Sequence, residues 1–302
     1  MKNKVSILEH QGFCYGVNQS IKIVNEVIKD KNNPKPIYLL NSIVHNSYVN
    51  EYFKSKGVII LEGKPKLELL DEITTGTIIF SAHGVSDKVK EKAQNKGLNV
   101  IDATCPFVER SYQLIKKYLN EDYHLLYIGK KNHPEAEAVS SFSNNVTVIY
   151  NDSFDIPNTN QKYAIAHQTT MSYYDVENVY DKVKEIIPSV TVLPMICNAT
   201  KLRQDELNSA LKDIDSSTLV IIVGDKSSNN CTKLYELSLR NTTSSIFISS
   251  YNDLINFDLS KYDKFIISSG TSTPIINVNE IKDYIVKGKI PTRCKKLSDY
   301  IK

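Results

Sequence analysis

Cys14, Cys105 and Cys197 lie 91 and 92 residues apart, and each occupies the same local setting. An apolar, strand-like run precedes each cysteine and a helix-like polar run follows it: VSILEHQGFCYGVNQSIKIV, LNVIDATCPFVERSYQLIKK and VTVLPMICNATKLRQDELNS. A unit used three times, with one thiol at its strand-to-helix turn, suits a shared soft-metal centre, because thiolates are soft ligands for iron–sulfur clusters, zinc and copper(I). Three unrelated buried thiols fit the same spacing. No two of these cysteines form the close pair that structural zinc prefers. Iron–sulfur clusters usually take four cysteines, so three would leave one iron with an open position, which a catalytic metal needs. Cys231 and Cys294 stand outside the pattern and read as buried or incidental thiols.

Polar turns recur between the cysteines. VHN (44–46), NHPE (132–135) and GDKSSNN (224–230) come about thirty residues after the three cysteines; SAHGVS (81–86), AHQTT (166–170) and SSGTSTP (268–274) come later in each third. All six follow a strand candidate, and residues just beyond strand C-termini line the ligand crevice of a parallel α/β sheet. His45, His83 and His133 in these turns are donors suited to an anionic substrate, though each taken singly also suits an ordinary satisfied histidine. The Ser and Asn side chains of GDKSSNN and GTSTP suit a neutral phosphate cradle at a helix start; simple helix capping explains either turn alone. Glu135 beside His133 is a proton donor if burial raises its pKa, or a first-turn glutamate after Pro134 that favours the helix dipole. The chain has neither a Walker phosphate loop nor G-x-G-x-x-G.

The elements that must position these residues alternate along the chain. VSIL, PIYLL, VIIL, TIIFSA, NVIDA, HLLYIG, VTVIY, YAIAHQ, TLVIIVG, SSIFIS and DKFIISSG read as strands. Between them are helical spacings such as Ile21, Val24 and Ile28, or Leu207, Ala210, Leu211 and Ile214. The expectation is an α/β fold of three similar domains with mainly parallel sheets: 14–104, 105–196 and 197–286, with residues 1–13 joining the third. Residues 287–302 form a basic tail, disordered or docked on the surface. The six turns and three cysteines are expected to face one cavity.

Composition narrows the partners. Of 302 residues, 41% are hydrophobic and 24% charged, as in an ordinary soluble protein, and the net charge of +3 implies neither nucleic acid nor an acidic membrane surface. The longest apolar runs have strand length, and the N-terminus offers only Val5 to Leu8 before Glu9. A membrane span and a signal-peptide core are therefore not expected, and the expected location is cytoplasmic.

Together GFCYGV, VHN, FSAHGVS, DATCP, HPE, QTT and SSGTSTP, in this order over about nine-tenths of the chain, resemble the LytB family of 4-hydroxy-3-methylbut-2-enyl diphosphate reductases. The resemblance implies three α/β domains in pseudo-threefold arrangement around one [4Fe–4S] cluster per chain, held by Cys14, Cys105 and Cys197. It also implies a substrate diphosphate bound by His45, His83, His133, Ser228, Asn229, Asn230 and Ser272. Glu135 is the implied proton source, with Thr169 beside the substrate hydroxyl. The implied reaction is a reductive dehydroxylation giving isopentenyl and dimethylallyl diphosphates, fed by an external one-electron donor such as ferredoxin or flavodoxin. A zinc-dependent hydrolase and a non-catalytic cluster carrier or diphosphate-binding paralogue are the competing readings. The chain departs from the family at Asn198, Lys201 and Leu202 after Cys197, at Asn229 where many members have Ser, and at Ala138 where Gly is usual.

Overall fold

The computed structural model describes residues 4–150, 154, 156, 161–195, 197–288 and 296–301; Cys294 and the rest of the basic tail from 289 to 295 lie outside them. In chain order the first elements are β1 (Lys4–Ile7), α1 (Tyr15–Lys29), β2 (Ile37–Leu40), α2 (Ser47–Ser55), β3 (Val58–Leu61), α3 (Lys66–Asp71), β4 (Thr77–Phe80), α4 (Asp87–Asn95) and β5 (Asn99–Asp102). There follow α5 (Pro106–Asn120), β6 (Tyr123–Ile128), α6 (Pro134–Ser140), β7 (Val146–Ile149), β8 (Lys162–His167), α7 (Tyr173–Ile186) and β9 (Thr191–Val192). The last are α8 (Asn198–Ala210), β10 (Thr218–Val223), α9 (Asn229–Leu239), β11 (Ser245–Ile248), β12 (Lys264–Ser269) and α10 (Ile275–Lys287).

The strands build three four-stranded sheets, ordered β3-β2-β4-β5, β7-β6-β8-β9 and β11-β10-β12-β1, with every pairing parallel. In the first two the order is second, first, third, fourth. The last sheet follows the same rule only because β1, from the far end of the chain, takes the fourth place beside β12 in the register Val5–Phe265 to Ile7–Ile267. Each cysteine therefore follows a fourth strand: Cys14 after β1, Cys105 after β5 and Cys197 after β9. The six polar turns follow the first and third strands, β2, β4, β6, β8, β10 and β12. Those two strands are neighbours where the strand order reverses, which is where open parallel sheets bind ligands.

Continuous apolar runs arise because both faces of a strand are covered. Along β6, Leu125 and Tyr127 pack with Val108, Tyr112 and Ile115 of α5, whereas Leu126 and Ile128 pack with Val176, Val179 and Val183 of α7. Along β8, Ala164 and Ala166 divide from Tyr163 and Ile165 in the same way, the period of two of an extended chain. In the last sheet Leu219, Ile221 and Val223 of β10 pack with Phe265 and Ile267 of β12 and with Val278, Ile281 and Ile285 of α10.

The chain forms two compact units. One comprises Met1–Asn18, Val44–Ser55 and Asn198–Lys302 and holds the sheet containing β1; the other comprises Gln19–Ile43 and Lys56–Cys197 and holds the other two sheets. In the first unit the described end of the tail docks: the Tyr300 ring stacks on Tyr48 at 4.4 Å between centroids. Among the described residues no helix is long and apolar enough to cross a membrane.

Candidate functional site

Each cysteine sits where a helix starts. Cys14 directly precedes α1 and Cys197 directly precedes α8; Cys105 caps α5, with Pro106 at its first position. Proline suits that position because its missing N–H would be unsatisfied there anyway. The Cys14 and Cys105 carbonyls accept the first helical bonds, from the N–H groups of Asn18 and Glu109, both at 3.0 Å. All three are thiols in partly exposed positions. Half-exposed soft donors at helix ends that favour negative charge fit an anionic iron–sulfur cluster.

In the first unit, four sequence-predicted residues come together in a neutral cradle. Ser228 caps α9, its Oγ accepting the Cys231 N–H at 3.4 Å. Ser272 Oγ lies 3.3 Å from Ser228 Oγ and 3.2 Å from the His45 carbonyl. Asn230 accepts the Thr271 N–H on Oδ1 at 3.0 Å and donates Nδ2 to Thr200 at 3.4 Å. Asn229, Asn230, Ser228 and Ser272 are all buried, and none carries charge. In VHN, Asn46 caps α2 through the Val49 N–H at 3.1 Å, and Asp225 accepts the N–H of Ser47 at 3.2 Å, which ties the His45 turn to the turn after β10. Cys231 packs beneath the cradle: a Cβ on Gly224 or Gly270 would come within 2.3 or 2.1 Å of its sulfur, so both positions need glycine. Burial pushes this thiol's pKa up, which leaves it a neutral packing group.

In the second unit, Glu135 and Thr169 meet. The Thr169 N–H donates to Glu135 Oε2 at 3.0 Å and its hydroxyl to Oε1 at 2.8 Å. Burial is the largest influence on this carboxyl and raises its pKa to about 7, against the pull of the two Thr169 hydrogen bonds toward the ionised form. His133 caps α6 by accepting the Glu135 N–H on Nδ1 at 3.2 Å. A neutral His133 ring therefore carries its proton on Nε2, as a donor. The His83 ring stands edge-on to that of His133, 5.4 Å between centroids.

Other residues hold these in place. Tyr112 donates its hydroxyl to the His83 carbonyl at 2.8 Å. Gly84 follows at φ +74°, and a Cβ there would lie 2.7 Å from the Tyr112 ring, so glycine is required. Gln168, fully buried, accepts the Lys130 N–H at 3.0 Å and donates to Thr170 at 2.7 Å, which fixes the turn that presents Thr169.

The model of the LytB protein family matches residues 5–286. This chain belongs to that family. It is 39% identical over 287 residues to a protein of Macrococcus caseolyticus named 4-hydroxy-3-methylbut-2-enyl diphosphate reductase, covering 93% of this chain and 88% of that one. A Bacillus licheniformis protein of the same name is 38% identical over 275 residues, covering 90% of this chain and 87% of the relative. Among solved structures, the E-1-hydroxy-2-methyl-but-2-enyl-4-diphosphate reductase of Plasmodium falciparum superposes with a TM-score of 0.86 at 27% identity, covering 100% of this chain and 98% of that one. A second structure, titled (E)-4-hydroxy-3-methyl-but-2-enyl diphosphate reductase, the terminal enzyme of the non-mevalonate pathway, gives 0.64 at 29% identity, covering 94% and 99%.

As a LytB family member the chain keeps its departures off the buried side of α8. Leu202 is 45% exposed and Lys201 pairs with Asp205 at 3.7 Å, whereas Thr200, Arg203, Gln204 and Leu207 are buried. Ala138 packs in the core beside Val139. Sequence reasoning passed over Tyr112, Asp225 and Gln168. Gln168 stood inside the QTT motif, but Tyr112 lies in the apolar pattern of α5 and carried no signal of its own.

Proposed function

We propose that this chain catalyses the two-electron reductive dehydroxylation of 4-hydroxy-3-methylbut-2-enyl diphosphate, giving isopentenyl and dimethylallyl diphosphates and water. The observation that carries the reading is the buried Glu135–Thr169 pair: a carboxyl with a pKa of about 7 hydrogen-bonded to a hydroxyl within a LytB family chain. The substrate takes up two electrons and two protons and loses one water. Glu135 holds one of those protons near neutral pH and delivers it through the Thr169 hydroxyl, so that the substrate hydroxyl leaves as water rather than hydroxide.

The buried neutral donors Ser228, Asn229, Asn230 and Ser272, with His45, His83 and His133, bind and orient the diphosphate. Histidine Nε2–H groups and hydroxyls hold such an anion without a lysine that would itself need a buried counter-charge. Cys14, Cys105 and Cys197 would hold one [4Fe–4S] cluster, which when bound would supply electrons singly and Lewis acidity toward the substrate hydroxyl. The electrons come from a separate donor protein of the ferredoxin or flavodoxin kind. The same proposal includes a three-domain division at residues 14–104, 105–196 and 197–286, the last joined by residues 1–13, and a cytoplasmic location.

Anaerobic purification tests the metal content. A brown protein with about four irons per chain, lost in Cys105→Ser, is the expected result. A colourless protein holding zinc would sink the reading and favour a hydrolase.

A further inference from the structure

The loop between β1 and α1 carries Cys14, and two side chains of α8 grip its backbone. Arg203, only 4% exposed, donates Nε to the His10 carbonyl at 2.9 Å and Nη2 to the Gly12 carbonyl at 2.6 Å. Three residues on, Glu206 accepts the His10 N–H on Oε2 at 3.0 Å and the Glu9 N–H on Oε1, and His10 Nδ1 lies 3.1 Å from Oε2. Residues three apart on a helix project from one face. The base therefore takes loop carbonyls and the acid takes loop N–H groups, which fixes the direction of successive peptide planes from Glu9 to Gly12.

The far end of the loop is also held. Gly12 adopts φ +75°, and a Cβ there would press within 3.3 Å of Ile275; the Cys14 N–H donates to the Thr271 carbonyl at 3.0 Å. Glu9, His10 and Glu206 each place a donor atom within 4.8 Å of the others, a spacing that would suit a cation. Both Glu206 oxygens already face N–H donors, however, and the guanidinium of Arg203 stands nearby. The group serves the loop.

We propose that Arg203 and Glu206 are positioning residues that set the Cys14 thiol in place as a cluster ligand. This inference rests on the cluster reading above. Charge-assisted hydrogen bonds to backbone are among the stronger ones in proteins, so each side chain has leverage over the loop. A lysine at 203 would keep the charge but cannot bridge two carbonyls with the planar fork of arginine.

The test uses the full chain, purified anaerobically, as wild type, Glu206→Gln, Arg203→Lys and Arg203→Met. Hydrogen exchange is followed over residues 8–14 and over the Cys105 turn. In parallel, an iron chelator is added and the freed thiols are alkylated and located by mass spectrometry. The expected result in each variant is exchange over 8–14 faster by about tenfold, with the Cys105 turn unchanged, and Cys14 labelled ahead of Cys105 and Cys197. Unchanged exchange over 8–14 overturns the proposal. So does equal acceleration of all three cysteines in Glu206→Gln, the mild variant, because that reports general loosening. A wild-type protein without iron sinks the cluster reading alone, and exchange over 8–14 still decides the clasp.

Discussion

Thr169 holds both oxygens of the Glu135 carboxyl, its N–H at 3.0 Å from Oε2 and its hydroxyl at 2.8 Å from Oε1. One residue thus sets the orientation of the acid, and in the proposed reaction it is also the outlet for the proton. Burial raises the carboxyl pKa to about 7, so near neutral pH the group is poised between holding and releasing a proton. In wild-type protein kcat is expected to fall as pH rises through about 7, where Glu135 loses the proton it must donate. Glu135→Gln keeps the size of the side chain and removes the proton; kcat should drop by roughly 100-fold or more with KM little changed. Near-wild-type turnover would remove Glu135 from the proton path.

The same shift has a stability signature. A carboxyl whose folded pKa of about 7 exceeds its ordinary value of 4.5 binds its proton more tightly in the folded state. Its contribution is fully present below pH 4.5 and is lost as pH rises toward 7, by at most about 3 kcal/mol. Glu135→Gln does not titrate, so the unfolding free energy of wild type relative to this variant should fall between pH 5 and pH 8. A difference that stays flat would contradict the buried, shifted carboxyl.

Thr169→Val keeps the N–H and the volume but deletes the hydroxyl. The carboxylate loses one acceptor bond to a donor that favours its charge, so the kcat profile should move to higher pH by up to about one unit, with kcat about tenfold lower. Thr169→Ser should restore both. A valine variant with an unmoved pH profile would separate Thr169 from the acid.

Ser272 joins the turn after β12 to Ser228 and to the His45 carbonyl. Ser272→Ala should raise KM for the diphosphate by about tenfold and change kcat by less than about threefold, the pattern of a lost binding contact rather than a lost chemical one. A fall in kcat at constant KM would place Ser272 nearer the reacting end of the substrate.

Away from the chemistry, Lys66 and Glu137 are unequal partners. The lysine side chain is 8% exposed and the glutamate 53%, with Nζ and Oε2 2.5 Å apart. Glu137→Ala leaves a buried ammonium without its carboxylate and should cost about 2 kcal/mol, whereas Lys66→Met leaves only a half-exposed carboxylate and should cost less. Chemical denaturation of both variants checks the order; the reverse order would mean that the lysine is hydrated in solution.

Much of this was legible because of how parallel sheets are built. Strands covered on both faces appear as unbroken runs such as TLVIIV, and loop chemistry gathers just beyond them, so the cysteines and six turns could be placed without coordinates. Contacts from a side chain to a distant carbonyl were not legible. Tyr112 reads as one more apolar position of α5, yet its hydroxyl holds His83 from 29 residues away. Arg203 and Glu206 look like the polar face of α8, and their partners Glu9, His10 and Gly12 lie more than 190 residues earlier. Lys201 and Leu202, two of the departures after Cys197, lie off the buried side of α8, Leu202 exposed and Lys201 paired with Asp205. Helical periodicity assigns a face; it does not say which backbone that face meets.

The most direct measurement is product analysis with the anaerobically purified, iron-loaded chain, 4-hydroxy-3-methylbut-2-enyl diphosphate and dithionite as electron source. The account predicts isopentenyl and dimethylallyl diphosphates at a rate that falls at least about 100-fold in Glu135→Gln. An intact cluster with no five-carbon diphosphate product from the wild-type protein would contradict it.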